Sequence, residues 1–500
     1  MRRTTTCLTV LFFTFASFAY AAEEPERPFN PIEKNGEYFV GWPTPKLALV
    51  FTGFQEGYLE PCGCAGMLEM KGGLSRRMSF FGTLREMGWP VVAIDGGDLC
   101  NGKADKLSEL KFGHTLEAFR IMGYDAVGLG MNDLAFSALD LLTYTLELAD
   151  AKSLFTAANV APLDFNDTYL APYKIVEKNG VRLGIVSVIT NSQLAGIQDP
   201  AIVRESPVRR LREIIPKLDA EECQYLILIS HGRRGAVLQE TQEILDAFPN
   251  KFSIVLVNDP PAEPPRRVPK MIGGCYVIEV GEKGKFAVVL GLFDGEDARP
   301  KYQSVALDAR YNNSPVILTM MEAYQERLKE LGPTGLNLRS FPDPNTAVMG
   351  NYIGSKECQS CHEESYDVWR KTGHAAAWKS LLETSNPPRN YDPDCVGCHV
   401  VGWNPQSMYP YLGGFEIGNQ EKTRHLTDVG CESCHGPGEN HKNAELGSNK
   451  ARQATLRQAV RLPLENAQKN CILCHDGDNS PNFNFETYWP KIEHNEFEDE

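Results

Sequence analysis

Apolar positions fall into two regimes along this 500-residue chain. From about residue 45 to 310, short continuous apolar runs alternate with longer stretches of helical spacing. Leu47-Ala-Leu-Val-Phe51, Pro90-Val-Val-Ala-Ile94, Ala126-Val-Gly-Leu129, Ser153-Leu-Phe-Thr156, Tyr225-Leu-Ile-Leu-Ile-Ser230 and Phe252-Ser-Ile-Val-Leu-Val257 read as buried strands. A helix is predicted to open at Gly72-Gly-Leu-Ser-Arg-Arg77 and another to run from about Leu110 to Met122. Asn179-Gly180, between Tyr173-Lys-Ile-Val176 and Val181-Arg-Leu-Gly-Ile-Val-Ser-Val188, predicts a β-hairpin. Strands are also expected at Cys275 to Val280 and Phe286 to Leu292. The pattern predicts an α/β fold, a mixed-sheet sandwich covered by helices rather than a purely parallel sheet.

Beyond residue 310 the pattern changes. Val316, Met320, Tyr324 and Leu328 recur at helical spacing within Asn312 to Leu331, which reads as a connector helix ended by Gly332-Pro333. Ser340 to Pro344 is a turn-rich linker. Residues 351–500 then contain few long apolar runs, and the tail from Glu496 to Glu500 is acidic. A segment so poor in apolar runs needs another source of core. Its chemistry supplies one. Cys358-Gln-Ser-Cys361-His362, Cys395-Val-Gly-Cys398-His399, Cys431-Glu-Ser-Cys434-His435 and Cys471-Ile-Leu-Cys474-His475 are four C-x-x-C-H motifs, the attachment pattern of c-type haem. Two thiols three positions apart reach the two vinyl groups of one macrocycle, and the next His lies beneath the iron. Structural Cys₄ zinc sites would also use CxxC pairs, but they leave unexplained why a His follows every second Cys. His374, His425, His441 and His494 lie in the same segment, so four further imidazoles are available to four irons. A second His makes an iron six-coordinate and suited to electron transfer; an iron without one can take a small molecule.

The N-terminus narrows the setting. Arg2 and Arg3, the apolar Leu8 to Phe18 and Ala19-Tyr-Ala21 form a secretory signal with an A-x-A cleavage site over residues 1–21. The apolar run is too short to span a membrane, and no later stretch approaches a transmembrane segment. The expectation is a soluble periplasmic protein, which suits haem attachment outside the cytoplasm. Formal charge is −15, and −17 once Arg2 and Arg3 leave with the signal. That argues against nucleic acid as a partner and permits docking to a redox partner protein. Of fourteen cysteines, the motifs use eight and Cys7 leaves with the signal. Cys62, Cys64, Cys100, Cys223 and Cys275 remain, an odd number that cannot all pair internally. Cys223 and Cys275 flank apolar strands and read as core thiols.

Two resemblances sharpen this reading. Tyr352-Ile-Gly-Ser-Lys-Glu-Cys-Gln-Ser-Cys-His362, Trp369-Arg-Lys-Thr-Gly-His374-Ala-Ala-Ala-Trp378, Tyr391-Asp-Pro-Asp-Cys-Val-Gly-Cys-His399-Val-Val-Gly-Trp403, Val429-Gly-Cys-Glu-Ser-Cys-His-Gly-Pro-Gly-Glu-Asn-His441 and Tyr488-Trp-Pro-Lys-Ile-Glu-His494 are similar to the tetrahaem cytochrome c-554 family, over roughly residues 351–500. The resemblance implies His374, His441 and His494 as distal iron ligands. His425 lies in a stretch less like the family pattern, so the iron at His399 is expected to be the open one.

Residues 45–310 resemble the calcineurin-like metallophosphoesterase domain of periplasmic 5′-nucleotidases. The matching stretches are Gly57-Tyr-Leu-Glu-Pro61, Gly72-Gly-Leu-Ser-Arg-Arg77, Ile94-Asp-Gly-Gly-Asp98, Gly123-Tyr-Asp125-Ala126 and Ile229-Ser-His-Gly232. In that family two divalent ions polarise a phosphate and activate water. Here the family's D-x-H falls on Phe54-Gln-Glu56, its G-N-H-[DE] on Gly130-Met-Asn-Asp133, and its G-H-x-H near Val257-Asn-Asp-Pro260. Asp98 and His231 alone do not make a two-metal centre, so hydrolase activity is expected to be lost. Glu60-Pro-Cys62-Gly-Cys64 follows the first strand. Its thiols are expected to bind zinc or another divalent ion with Asp98, Cys100 or His231, or to bridge Cys100.

The expected organisation is a signal (1–21), an extended segment (22–44), a metallophosphoesterase-like α/β domain (45–310), a connector (311–350) and a mainly helical, haem-packed cytochrome domain (351–500). The expected function is electron transfer. Reduction of a small nitrogen-oxide type ligand at an open haem, or hydrolysis of a phosphorylated substrate in the N-terminal domain, are the alternatives.

Overall fold

The computed structural model describes residues 29–61, 68–147, 152–257, 265–295 and 298–494. The signal segment, Cys62, Cys64 and Asn258-Asp-Pro260 lie outside the described residues, so the expectations placed on them stay with the sequence.

Two six-stranded sheets make the N-terminal half. The first runs Lys301–Ala306, Phe286–Leu292, Leu47–Thr52, Val91–Asp95, Ala126–Gly128 and Phe155–Thr156. Phe286–Leu292 pairs antiparallel with both of its neighbours, and the remaining pairings are parallel. The second runs Lys270–Ile272, Cys275–Glu279, Ile254–Val257, Tyr225–His231, Val181–Ile189 and Lys174–Lys178. Its inner strands are parallel and both edges are antiparallel hairpins, one of them closed by Asn179-Gly180.

Side-chain alternation sorts each central strand between two cores. Leu47, Leu49 and Phe51 point into a layer shared with Ile185, Ile227, Ile229 and Leu256 of the other sheet. Ala48 and Val50 point outward beneath the helices Leu74–Glu86 and Lys106–Met122, against Phe81, Leu84 and Phe119. On the far side, Val186, Val188, Leu226 and Leu228 are covered by Leu211, Ile214 and Ile244 of the helices Pro207–Ala220 and Val237–Ala247. The strands read as unbroken apolar runs because both faces are buried. The result is the helix-covered mixed-sheet sandwich that the pattern predicts.

The helix after the sandwich is Pro315–Gly335, with a non-helical Gly332 (φ 54°) inside it. Its buried face is Ile317, Met321, Tyr324 and Leu328; Tyr324 and Leu328 are as the spacing predicts, while Ile317 and Met321 are buried in place of Val316, which is exposed, and Met320. It packs into the outer core of the first sheet, and Tyr38, Phe39 and Trp42 of the N-terminal segment pack there too.

Residues 351–494 form short helices and turns around one small apolar cluster of Tyr352, Leu381, Val396, Val400, Val401, Trp403, Phe415, Ile417 and Leu426. Among the described residues no helix is long and apolar enough to cross a membrane.

Candidate haem and strand-end sites

Each C-x-x-C-H is a single turn, which is why its thiols and imidazole meet on one side. The His362 and Cys361 amides donate to the Cys358 carbonyl (3.0 and 3.2 Å), and His475 and Cys474 repeat this on Cys471 (2.9 and 3.2 Å). Cys431–His435 is helical throughout. Glu432, between the third pair of cysteines, accepts from the amides of Ile353, Gly354 and Gly438. It thereby ties the third motif to the strand of chain that enters the first. Sequence reading gave that glutamate no role.

The chain brings six histidines into three pairs. Ring centroids lie 6.1 Å apart for His362 and His441, 6.0 Å for His374 and His475, and 5.9 Å for His435 and His494. A metal with a ring nitrogen about 2 Å away on each side holds two imidazole centroids about 6 Å apart. The pairs therefore have the spacing of axial ligands to one iron, and each joins a motif His to one of the three histidines expected to be distal.

Tautomers agree with that use. Nδ1 of His399 donates to the Ala377 carbonyl (2.5 Å), that of His435 to Val460 (2.8 Å) and that of His494 to Ile492 (2.8 Å). A carbonyl only accepts, so the proton is on Nδ1 and the Nε2 lone pair is left for a metal. His475 Nδ1 lies 3.1 Å from the Ser480 hydroxyl. His425 is exposed on the short turn Arg424–Leu426.

Motif neighbours are set by the fold and not by chain order. The side chain of Cys358 neighbours that of Cys431, that of Cys398 neighbours Cys474, and that of Cys434 neighbours Cys471. The motifs thus follow one another in space as first, third, fourth and second.

Residues 357–436 match the family described as cytochrome c554 and c-prime. Cytochrome c-554 of Nitrosomonas europaea is 34% identical over 147 residues, which is 26% of this chain and 59% of that protein. The C-terminal segment is a cytochrome c554-like domain. The family it matches is a haem-binding one. The chain spans somewhat more than half the length of that relative.

The N-terminal domain has counterparts among solved structures. A 5′-nucleotidase precursor from Thermus thermophilus is 19% identical with a TM-score of 0.47, covering 57% of this chain and 59% of that one. A sulfate thiohydrolase, SoxB, of the same organism is 13% identical with a TM-score of 0.46, covering 58% and 62%. A calcineurin-like phosphoesterase from Bacillus subtilis is 17% identical with a TM-score of 0.41, covering 56% and 97%. Likeness at this level says nothing of chemistry.

The strand ends of that domain hold the other expected site. Asp98, at φ 54°, follows the Val91–Asp95 strand, and His231 ends its own strand. They meet with His231 Nδ1 3.7 Å from Asp98 Oδ2. His231 Nε2 bonds the Gly96 carbonyl, and burial holds the imidazole below its usual range. Asp133 accepts from the amides of Asp98 (2.9 Å), Leu99 (2.7 Å), Cys100 (3.2 Å) and Gly130 (3.0 Å). Burial, with Asp98 beside it, still pushes its carboxyl up to about 8. The Cys100 thiol donates to the Asn132 carbonyl (2.9 Å), and burial raises its pKa.

A two-metal centre does not fit these residues. The ring of Phe54 packs edge-on to His231 at 6.1 Å, where the resemblance puts a ligand. Among the described residues no three His, Cys, Asp or Glu side chains gather as metal ligands. Asp98 and His231 are brought together, and the Cys100 thiol is committed to a backbone carbonyl. A zinc site that included Cys62 and Cys64 lies outside the described residues.

The two domains meet through charges that sequence reading passed over. Lys111, 8% exposed on its side chain, pairs with Asp394, the residue before Cys395. Burial works against its charge, but Asp394 and Asp392 outweigh that and hold the ammonium above its ordinary range. Tyr324 donates to Asp392 (3.1 Å). Lys283 and Lys285 (2.7 Å for the latter) both pair with Asp478, which follows the fourth motif. Arg389 donates to the Pro61 carbonyl (2.7 Å).

Proposed function

We propose that this protein is an exported, periplasmic tetrahaem c-type cytochrome that exchanges electrons with a periplasmic redox partner protein. Cys358 and Cys361, Cys395 and Cys398, Cys431 and Cys434, and Cys471 and Cys474 carry the haems. His362, His399, His435 and His475 are the proximal ligands, and His441, His494 and His374 complete the first, third and fourth irons. Haem bound in this way supplies a one-electron iron couple. The chain's own part is to fix imidazole tautomers, exclude water and hold the four motifs in contact.

The observation that carries this reading is the three imidazole pairs 5.9 to 6.1 Å apart. Thiol proximity supports a relay through the first, third, fourth and second motifs. Intact mass of the exported protein, with a pyridine haemochrome assay, should return four haems per chain. A mass equal to the bare processed polypeptide would refute the proposal.

His374, His441 and His494 stand beside the histidines of the fourth, first and third motifs, and this favours a second reading for the haem at His399. There a small ligand would bind, and reduction of a nitrogen oxide is the corresponding activity. The dithionite-reduced protein should then take up carbon monoxide with a Soret shift at one haem in four; an unchanged spectrum removes this reading. The phosphoesterase-like domain acts as a scaffold for the cytochrome.

A further inference from the structure

The lysines of the N-terminal domain converge on carboxylates that adjoin two of the haem motifs. Lys111, on the helix Lys106–Met122, reaches Asp394 next to Cys395. Lys283 and Lys285, on the loop before the strand Phe286–Leu292, reach Asp478, three residues past His475. Lys103 and Lys283 also act on Asp394 electrostatically. The second and fourth motifs, which touch through Cys398 and Cys474, are thus the pair at the domain junction.

We propose that the N-terminal domain sets reduction potential in the cytochrome domain, and that Lys111, through its buried pair with Asp394, holds the haem of Cys395 and Cys398 at a higher potential than that haem would otherwise have. The proposal rests on the four-haem reading above. Its physics is electrostatic. When a one-electron reductant such as dithionite converts ferric to ferrous iron there, the site gains one negative charge, and no bond to a proton or ligand is made or broken. A fixed cation nearby favours the reduced state, and the carboxylates of Asp392 and Asp394 oppose it. An exposed lysine would be screened by water and salt, whereas Lys111 is almost wholly buried, so its charge acts through a medium of low effective dielectric. The potential then depends on a residue from another domain, which gives the N-terminal domain a function in the electron path.

The test is a spectropotentiometric titration of the full-length holoprotein and of K111M, K111R and D394N, each with haem counted by intact mass. The variant C395S/C398S, lacking one haem, identifies which titrating component belongs to the second motif. In K111M the reduced-to-oxidised ratio of that component at a fixed poise should fall about tenfold, equivalent to about 59 mV. K111R should leave it in place, and D394N should move it the opposite way. K111M with its full complement of haem titrating as the parent overturns the proposal, and so does an equal shift in K111M and K111R, which would mean packing and not charge. If K111M does not fold, D394N decides, and no upward shift there is equally fatal. Should C395S/C398S carry as many haems as the parent, the reading of the second motif has failed rather than the role of Lys111.

Discussion

Glu60 shows how far one residue can depart from its sequence context. It stands in the segment that leads to Cys62, yet its carboxylate turns back to accept the Ser75 amide (2.7 Å) at the start of the helix Leu74–Glu86. Burial pushes its carboxyl from 4.5 up to about 7, against Arg389 and that amide. The folded state therefore holds the proton more tightly than the unfolded chain does. Stability conferred by the protonated form is full below 4.5 and is lost as pH rises to about 7. Because the side chain is only half-buried, the loss is discounted to about 1–3 kcal/mol. Urea denaturation of the parent should show this fall across the window, and E60Q should flatten it; parallel curves would disprove the assignment. The four C-x-x-C-H motifs could be read at this scale because each is complete within five consecutive residues. The Lys111–Asp394 pair could not, since 283 positions separate its members.

At the scale of elements, the long strands with both faces covered were legible, while the short buried strand Val160–Pro162 was not. The Leu47–Thr52 strand is buried at every position, and its odd and even residues enter different cores. Lys301–Ala306 escaped notice because a half-buried edge strand carries Lys, Gln and Ser among its apolar residues. On the helix after the sandwich Tyr324 and Leu328 are buried as expected, but Ile317 and Met321 replace Val316 and Met320, because spacing fixes a period and leaves the exact face to the surface it meets. Turn chemistry at the strand ends is a stricter constraint. Gly97 has φ 92°, and a Cβ there would lie 2.3 Å from the Gly128 carbonyl oxygen. That close approach is what lets the Asp98 and Asp133 loops interlock. G97A should cost at least about 2 kcal/mol in the denaturant midpoint of the N-terminal domain. A change within error would mean the two loops are not tightly coupled.

For the whole molecule, the unequal cores set the folding order. The sandwich has three extensive apolar layers, whereas residues 351–494 have one small cluster around the second motif. A chain retained in the cytoplasm without haem should keep its sandwich and expose its C-terminal third. Limited proteolysis should leave a stable fragment ending near residue 340, and equal resistance of both parts would contradict this. What the sequence alone determined was the inventory: strand runs, a mixed-sheet sandwich and four C-x-x-C-H motifs. These follow from periodicity and from covalent chemistry within a few residues. Which imidazole faces which, the spatial order of the motifs, and the seating of Lys111 beside Cys395 were decided only by the tertiary structure. Each depends on groups far apart in the chain, and a linear pattern carries no information on which distant side chains will share a desolvated space.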